Sequence, residues 1–521
     1  MSIQVFRPAG KRVTTVRIAA VAVAFALLIP SKAARAQTTS ATGGLVIRNV
    51  TVVDTNTGKR SPNMSVVVEG GKITKVASSR SIKAESSMQV VDGHGKYIVP
   101  GFWNMHSHAL NPGDQTDQLN LMLANGITGF RQMSGSPELL KMRKDGKLIL
   151  PPDSPEVLVM PGQILTFANA ATPQAAVAEV QRQKQEGADF IKTINLSGPS
   201  FEAALLEANR QGLPYAGHLS GGVDAVKMSE LGMRAIEHLG PTETLLVSCS
   251  TDEAALRKEF ANAPNRTLGA LAPDAAARLS RVLVTNPVLA AVLADPTFAP
   301  KLQRMIDTYS ETKCRAVAAV FVAHDTWQAP TLIRLKAMEL GDDPSFRNNP
   351  DLKYEPAETR QFWDSLGDKF ATLPAATQET LKQLFALQLR VTKLFEQSGV
   401  KILAGDDGGA GWLVPGFCFH QEFELLAEGG LSPLRVLQST TIDGAKFLGL
   451  QTANGTVEGG KNANLVLLDE DPIKSVSNLN KIYGVVRAGK FYSRADLDAL
   501  LMRVEDRAAA TPQHQPKPTT P

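Results

Sequence analysis

Two histidines one residue apart, His106 and His108, follow the apolar run Tyr-Ile-Val-Pro-Gly. In an extended chain residues i and i+2 point the same way, so both imidazoles can reach one metal ion. With eight histidines in 521 residues the pair alone is a weak signal. Its place behind a buried strand closed by Pro-Gly strengthens it. Further ligand-type residues close other apolar strands. Lys192 ends Ala-Asp-Phe-Ile-Lys, His218 ends Pro-Tyr-Ala-Gly-His, His238 ends Ala-Ile-Glu-His, and Asp407 follows Lys-Ile-Leu-Ala-Gly-Asp. A lone strand-end histidine is more often structural. Four histidines, an aspartate and a lysine at successive strand ends point instead to one shared site.

Other side chains fit the mouth of such a site less specifically. Arg131 ends an apolar strand, and its planar fork suits a substrate carboxylate; a salt bridge within the mouth explains it equally well. Tyr354 and Trp412 fall in loops over the site and are candidate pocket residues. His94 sits in an Asp-Gly-His-Gly turn, His514 lies in the tail, and His324 and His420 read as structural.

These residues need a frame that gathers strand ends. Between 98 and 450 short apolar strands alternate with helical patterns, the signature of βαβ units. The strand candidates are Tyr97–Val99, Ile127–Arg131, Glu156–Met160, Phe190–Ile194, Tyr215–Gly217, Ala235–Ile236, Gln328–Leu332 and Lys401–Ala404. Eight such units predict a (β/α)8 TIM-like barrel, whose active site lies at the C-terminal ends of its strands. An open doubly wound sheet would want a glycine-rich phosphate loop after an early strand, and none is present. Helical insertions are expected at about 241–300 and 342–375, contributing a lid. Segments 44–97 and 455–491 both read as short strands with Gly and Asn turns, predicting a small β-sandwich domain built from both ends of the chain. A C-terminal helix over 492–510 and a proline-rich, disordered tail over 511–521 complete the layout.

Bulk composition, 43% hydrophobic and 20% charged, is ordinary for a globular protein. The N-terminus reads as an export signal. Arg7, Lys11, Arg12 and Arg17 precede an apolar run from Ile18 to Pro30, and Ala34-Arg35-Ala36 supplies a cleavage site, so residues 1–36 should be removed. The run is shorter than the ~20 residues of a membrane span, and no later run is longer. The segment holds six of the 55 basic residues (Arg7, Lys11, Arg12, Arg17, Lys32, Arg35) and none of the 51 acidic ones, which leaves 49 against 51 and a net charge of −2. A mature chain of that balance has no basic footprint for nucleic acid. The expected location is periplasmic or secreted. Of the three cysteines, Cys249 and Cys314 could pair, but three buried thiols are the better reading.

Taken together, the motifs resemble those of the amidohydrolase superfamily, in particular its imidazolonepropionase-like and Xaa-Pro dipeptidase-like branch. Val-Pro-Gly-Phe-Trp-Asn-Met-His106-Ser-His108 is similar to the family's first-strand motif, Gly-Ala-Asp-Phe-Ile-Lys192 to the fourth, Gly-His218 to the fifth and Ile-Glu-His238 to the sixth. Leu-Ala-Gly-Asp-Asp407-Gly-Gly is similar to the eighth, and Gly455-Thr-Val-Glu-Gly-Gly-Lys461 with Asn-Leu-Val-Leu-Leu-Asp469 to the return strand of the small domain. The chain departs from the pattern at Asn104 and Asn464, where aspartate is usual, and at Asp406, where threonine is usual; registry assigns the metal-facing carboxylate to Asp407.

The resemblance implies two divalent ions, zinc by default. His106, His108 and Asp407 would hold one, His218 and His238 the other, and Lys192, carboxylated by CO2, would bridge them. It further implies that hydroxide formed at the metals attacks a carbonyl while Asp407 carries the proton to the leaving amine. The expected substrate is a small amide or peptide, a dipeptide or N-acyl amino acid. A lactonase or organophosphate hydrolase could use the same ligands. A mononuclear deaminase fits less well, because His218 is followed by Leu-Ser-Gly rather than a glutamate three residues on. No membrane span is expected after signal cleavage, and a homo-oligomer is neither required nor excluded.

Overall fold

The computed structural model describes residues 44–111, 115–219, 222–239, 244–261 and 281–511. The expected export signal and most of the proline-rich tail lie outside the described residues, as does part of the first expected insertion.

Two sets of strands organise the chain. The first is an eight-stranded sheet from both ends of the sequence. Its N-terminal members are β1 (Leu45–Val53), β2 (Arg60–Glu69), β3 (Lys72–Ser78), β4 (Gln89–Asp92) and β5 (Tyr97–Pro100). Its C-terminal members are β13 (Leu465–Leu468), β14 (Ile482–Arg487) and β15 (Lys490–Ser493). The order is β15-β14-β13-β5-β1-β2-β3, with β4 parallel to β1. Side chains alternate across it. Leu45 and Ile47 join a cluster with Val66, Val68, Leu465 and Leu467, whereas Val46 and Val67 pack with Ile82 on the other side. Tyr97–Val99, read from the sequence as the first strand of the alternating region, belongs to this sheet, pairing β1 and β13. The short segment Pro100-Gly101 separates it from the strand that carries the histidines.

The second set is parallel. β6 (Phe102–Ser107), β7 (Ile127–Gln132) and β8 (Glu156–Val159) form one ladder. β9 (Ile191–Thr193), β10 (Tyr215–Gly217), β11 (Ala235–Glu237) and β12 (Trp327–Ala329) form another. Every residue of β6 and of β7 is buried, as expected for strands covered on both faces. Backbone hydrogen bonds join the ladders. Leu165 donates to Lys192 and accepts from Ile194, and Asp189 donates to Met160. On the other side Ile402 bridges Gln328, and Met105 donates to Ala404. Gly405 permits that approach, since a Cβ there would lie 2.7 Å from the His106 Cβ.

Helices between the strands begin and end on clear signals. Pro173–Glu186, for example, starts at Thr172, whose hydroxyl accepts from Ala175, and stops at Gly187 in the left-handed region. The connection from β11 to β12 holds Thr244–Ser248, Glu253–Ala261, Pro287–Ala294, Phe298–Asp307 and Glu311–Ala323. Contrary to the thiol reading, Cys249 and Cys314 are disulfide-bonded and tie that connection together, while Cys418 is a buried free thiol. Beyond β12 come Leu332–Glu339, Ala357–Ala371 and Ala375–Gln397. Among the described residues no helix is long and apolar enough to cross a membrane.

Candidate metal centre

Three imidazoles converge on Asp407. The His106 and His108 Nε2 atoms lie 3.8 and 3.4 Å from its Oδ1, and His238 Nε2 lies 3.8 Å from its Oδ2. The donor atoms of His106, His238 and Asp407 all fall within 4.8 Å of one another. Each ring is anchored through its other nitrogen. His106 Nδ1 is 2.7 Å from Glu237 Oε2, His108 Nδ1 is 2.9 Å from Ser134 Oγ, and His238 Nδ1 meets the Thr331 hydroxyl. A carboxylate partner requires His106 to carry its proton on Nδ1, which leaves the Nε2 lone pair free. That Nε2 is buried and has no hydrogen-bond partner, the condition of a ligand atom awaiting a cation.

His218 completes the group from the end of β10, its ring edge-on to His238 at 4.8 Å. Gly217 (φ 141°) brings β10 against β9, where a Cβ would lie 2.3 Å from the Thr193 carbonyl oxygen. Burial holds His106, His218 and His238 well below the ordinary imidazole range, reinforced by neighbouring positive groups including Lys192. These rings are therefore neutral at pH 7 and able to ligate.

Lys192 projects from β9 into the same field. It is fully buried, and its Nζ has no partner. Burial pulls the amine down to about 8, against the opposing charges of Glu237 and Asp407. Burial would raise Asp407, but Arg334, His108 and His238 outweigh it and keep the carboxyl below its usual value. Non-glycine residues in the left-handed region cluster here: His238 (φ 59°), Thr331 (φ 47°) and Asp407 (φ 48°). Such backbone is costly and collects at functional sites.

Asp406 turns away from the imidazoles. It accepts from Asn104 Nδ2 at 2.7 Å, from the Gly408 amide at 3.0 Å and from the Cys418 thiol at 3.3 Å. Asn104 and Asp406, two departures from the family pattern, thus contact each other and join the histidine strand to the segment that carries Asp407.

Three sequence candidates are held in packing and ion-pair contacts. Arg131 is 1% exposed and bonded to Glu237 and to the Met105 carbonyl, so it lies beneath the histidines and out of a substrate's reach. Tyr354 is buried, stacked on Phe417 at 5.0 Å. Trp412 is stacked on Phe346 and donates to Asp364, packing the helix Ala357–Ala371. Sequence reasoning missed Glu237, Ser134, Thr331 and Arg334. Glu237 carried a signal, an acidic residue inside the apolar Ala-Ile-Glu-His strand, which must find a buried partner.

Residues 388–492 match the model of the amidohydrolase family. Among curated proteins, the dihydroorotase of Pelotomaculum thermopropionicum is 24% identical over 443 residues, covering 82% of this chain and 89% of that protein. The dihydroorotase of Thermus aquaticus is 29% identical over 187 residues, a third of this chain (33%) and only 41% of its own length. Among solved structures, a bottromycin amidohydrolase superposes with a TM-score of 0.62 at 21% identity, covering 89% of this chain and 90% of that one. A Xaa-Pro dipeptidase with methionine bound in its active site superposes at 0.56 and 17%, covering 87% and 100%.

Proposed function

We propose, from the amidohydrolase family match over residues 388–492 and the likeness to the dihydroorotase and amidohydrolase relatives, that this chain is an exported, metal-dependent hydrolase of the amidohydrolase superfamily that splits the amide bond of a dipeptide or N-acyl amino acid. The observation that carries the reading is the buried Lys192 Nζ, without a partner, in the field of the imidazoles and Asp407. An ammonium so placed is buried without a hydrogen-bond partner, and that burial, offset in part by Glu237 and Asp407, is what pulls its pKa down to about 8. Its neutral amine can instead take up CO2 and become an anionic carbamate, a ligand for two cations. The orphaned His106 Nε2 fits the same account.

In this reading His106, His108 and Asp407 would hold one divalent ion and His218 and His238 a second, and carboxylated Lys192 would supply an anionic ligand to both. Zinc suits this imidazole and carboxylate set. When bound, such ions polarise a carbonyl and lower the pKa of water. Asp407 takes the proton released as the attacking oxygen bonds the carbonyl carbon, and returns it to the amide nitrogen as the C–N bond breaks. Glu237 fixes the His106 tautomer. The joined parallel ladders support a closed (β/α)8 barrel with the site at its strand ends, and the eight-stranded sheet stands where the small β domain was expected. The Xaa-Pro dipeptidase neighbour supports the substrate class, and the Cys249–Cys314 disulfide supports an oxidising compartment.

The test is metal analysis of the purified protein, with a screen of dipeptides and N-acyl amino acids. Wild type should hold two metal equivalents per chain. Lys192→Ala should lose one of them and most turnover, and a short carboxylic acid should restore part of both. Wild-type metal content and turnover in Lys192→Ala would refute the reading.

A further inference from the structure

Arg334 sits in the helix Leu332–Glu339, just past the end of β12, and is 5% exposed. Its guanidinium faces two ways. Nε lies 3.2 Å from Asp407 Oδ2. Nη1 donates to the Thr285 carbonyl at 2.8 Å and Nη2 to the Val284 carbonyl at 2.5 Å. Those carbonyls belong to the long connection between β11 and β12, immediately before the helix Pro287–Ala294. The same stretch is held a second time, because Asn286 Nδ2 donates to the Met338 carbonyl at 3.0 Å.

The helix that presents Arg334 is itself fixed. Its first turn begins at Thr331, whose hydroxyl meets His238, and the buried Glu422 carboxylate accepts from the Ile333 amide at 2.7 Å. With both ends of its fork on peptide carbonyls, Arg334 sets its Nε 3.2 Å from the carboxylate oxygen that does not face His106 and His108, an ion-pair contact. Buried against those carbonyls at 5% exposure, it is poorly placed to receive a substrate. It is well placed to orient Asp407, whose other oxygen faces the histidine pair.

We infer that Arg334 is a positioning residue for the catalytic carboxylate, and that segment 284–286 of the insertion is the clamp that holds it there. The inference rests on the reading of Asp407 as the proton carrier. If the segment lifts, the guanidinium loses two partners in a buried place, and the geometry that aims Asp407 goes with them. The insertion is then part of the catalytic apparatus, without contributing a side chain to the reacting atoms.

Arg334→Met, Arg334→Lys, Asn286→Ala and Asp407→Asn in the full-length holoenzyme test this. The readouts are zinc content, amide hydrogen exchange over 281–294, and kcat and KM on the best substrate of the screen. Arg334→Met should keep its zinc, lose exchange protection over 281–294, and lose roughly 100-fold in kcat with little change in KM. Arg334→Lys should recover only part, because one ammonium cannot serve two carbonyls and a carboxylate. Asn286→Ala, which leaves Arg334 and Asp407 in place, should loosen the segment and lower kcat in the same sense. Should Arg334→Met fail to fold, Arg334→Lys and Asn286→Ala decide the matter. Wild-type kcat in Arg334→Met, or in both of the other variants, overturns the inference; so does a loss confined to KM. An active Asp407→Asn would refute the functional reading itself, whereas an inactive one beside a fully active Arg334→Met would refute this inference alone.

Discussion

Replacing Asn104 with aspartate would set a second carboxyl against Asp406 at the present hydrogen-bond distance of 2.7 Å. Two full charges that close repel by ~6 kcal/mol at an effective dielectric constant of 20. The pair can avoid this by keeping one proton. Burial already pushes Asp406 up to about 6, even with Asn104, Gly408 and Cys418 donating to it. Holding a proton on such a group at pH 7.5 costs about 2 kcal/mol, less than the repulsion, so protonation wins. Because the folded value lies above the unfolded one, the stability this group contributes is complete below its unfolded pKa and lost as pH rises through about 6. The deficit of Asn104→Asp against wild type should therefore be small at pH 5.5 and reach about 2 kcal/mol at pH 7.5, a fall in Tm of roughly 2–4 °C. Adding Asp406→Asn leaves one carboxyl in the pair and should return most of the loss. Thermal unfolding of wild type, both single variants and the double variant across this pH range is the assay. A pH-independent deficit, or a double variant no better than Asn104→Asp, would refute the argument.

Glu237→Gln should be more damaging, because it leaves the buried Arg131 charge uncompensated and weakens the hold on His106. About 3–5 kcal/mol of stability and 10–100-fold in metal affinity should be lost, measured by thermal unfolding and by zinc competition against a chelator. Unchanged affinity would show that Glu237 serves Arg131 alone. Cys249→Ser with Cys314→Ser opens a covalent loop with a sequence separation of 65 and should cost about 4 kcal/mol in denaturant unfolding. The intact mass of the protein purified from its producing cells should correspond to a chain starting at or near Gln37 less two hydrogens; an uncleaved, fully reduced chain would contradict both the proposed export and the bond.

What could be read from the sequence was what repeats locally. His106, His108, His218, His238 and Asp407 each end or follow an apolar run, and strand-end position is what made them candidates. Tyr97–Val99 misled because a short apolar run before Pro-Gly looks the same in either strand set; its partners β1 and β13 decide the matter, and one of them lies some 370 residues downstream. Arg131 and Glu237 each interrupt an apolar strand with opposite charge, and the need of buried charges to pair could have joined them. Arg334 had no such signal. In Leu-Ile-Arg-Leu-Lys it reads as an ordinary helical arginine, and only the fold reveals that it touches Asp407. Nor can spacing alone settle which cysteines pair.

The shared sheet fixes the order in which this chain can be finished. β1 acquires β2, β4 and β5 as soon as the first hundred residues exist. The far edge of β5 stays bare until β13 arrives at residue 465. Throughout synthesis of the histidine-bearing strands, the nascent chain therefore carries an open row of backbone donors and acceptors, the kind of edge that recruits a neighbour's strand. Closing it requires a contact across most of the sequence, among the slowest kinds of folding event. A fragment ending near residue 450 would hold every proposed ligand and still present that sticky edge. Residues 465–510, the closing strands and helix, should then act as a cap on aggregation, and a screen for soluble truncations should find its boundary there rather than at the end of the proposed ligand motifs.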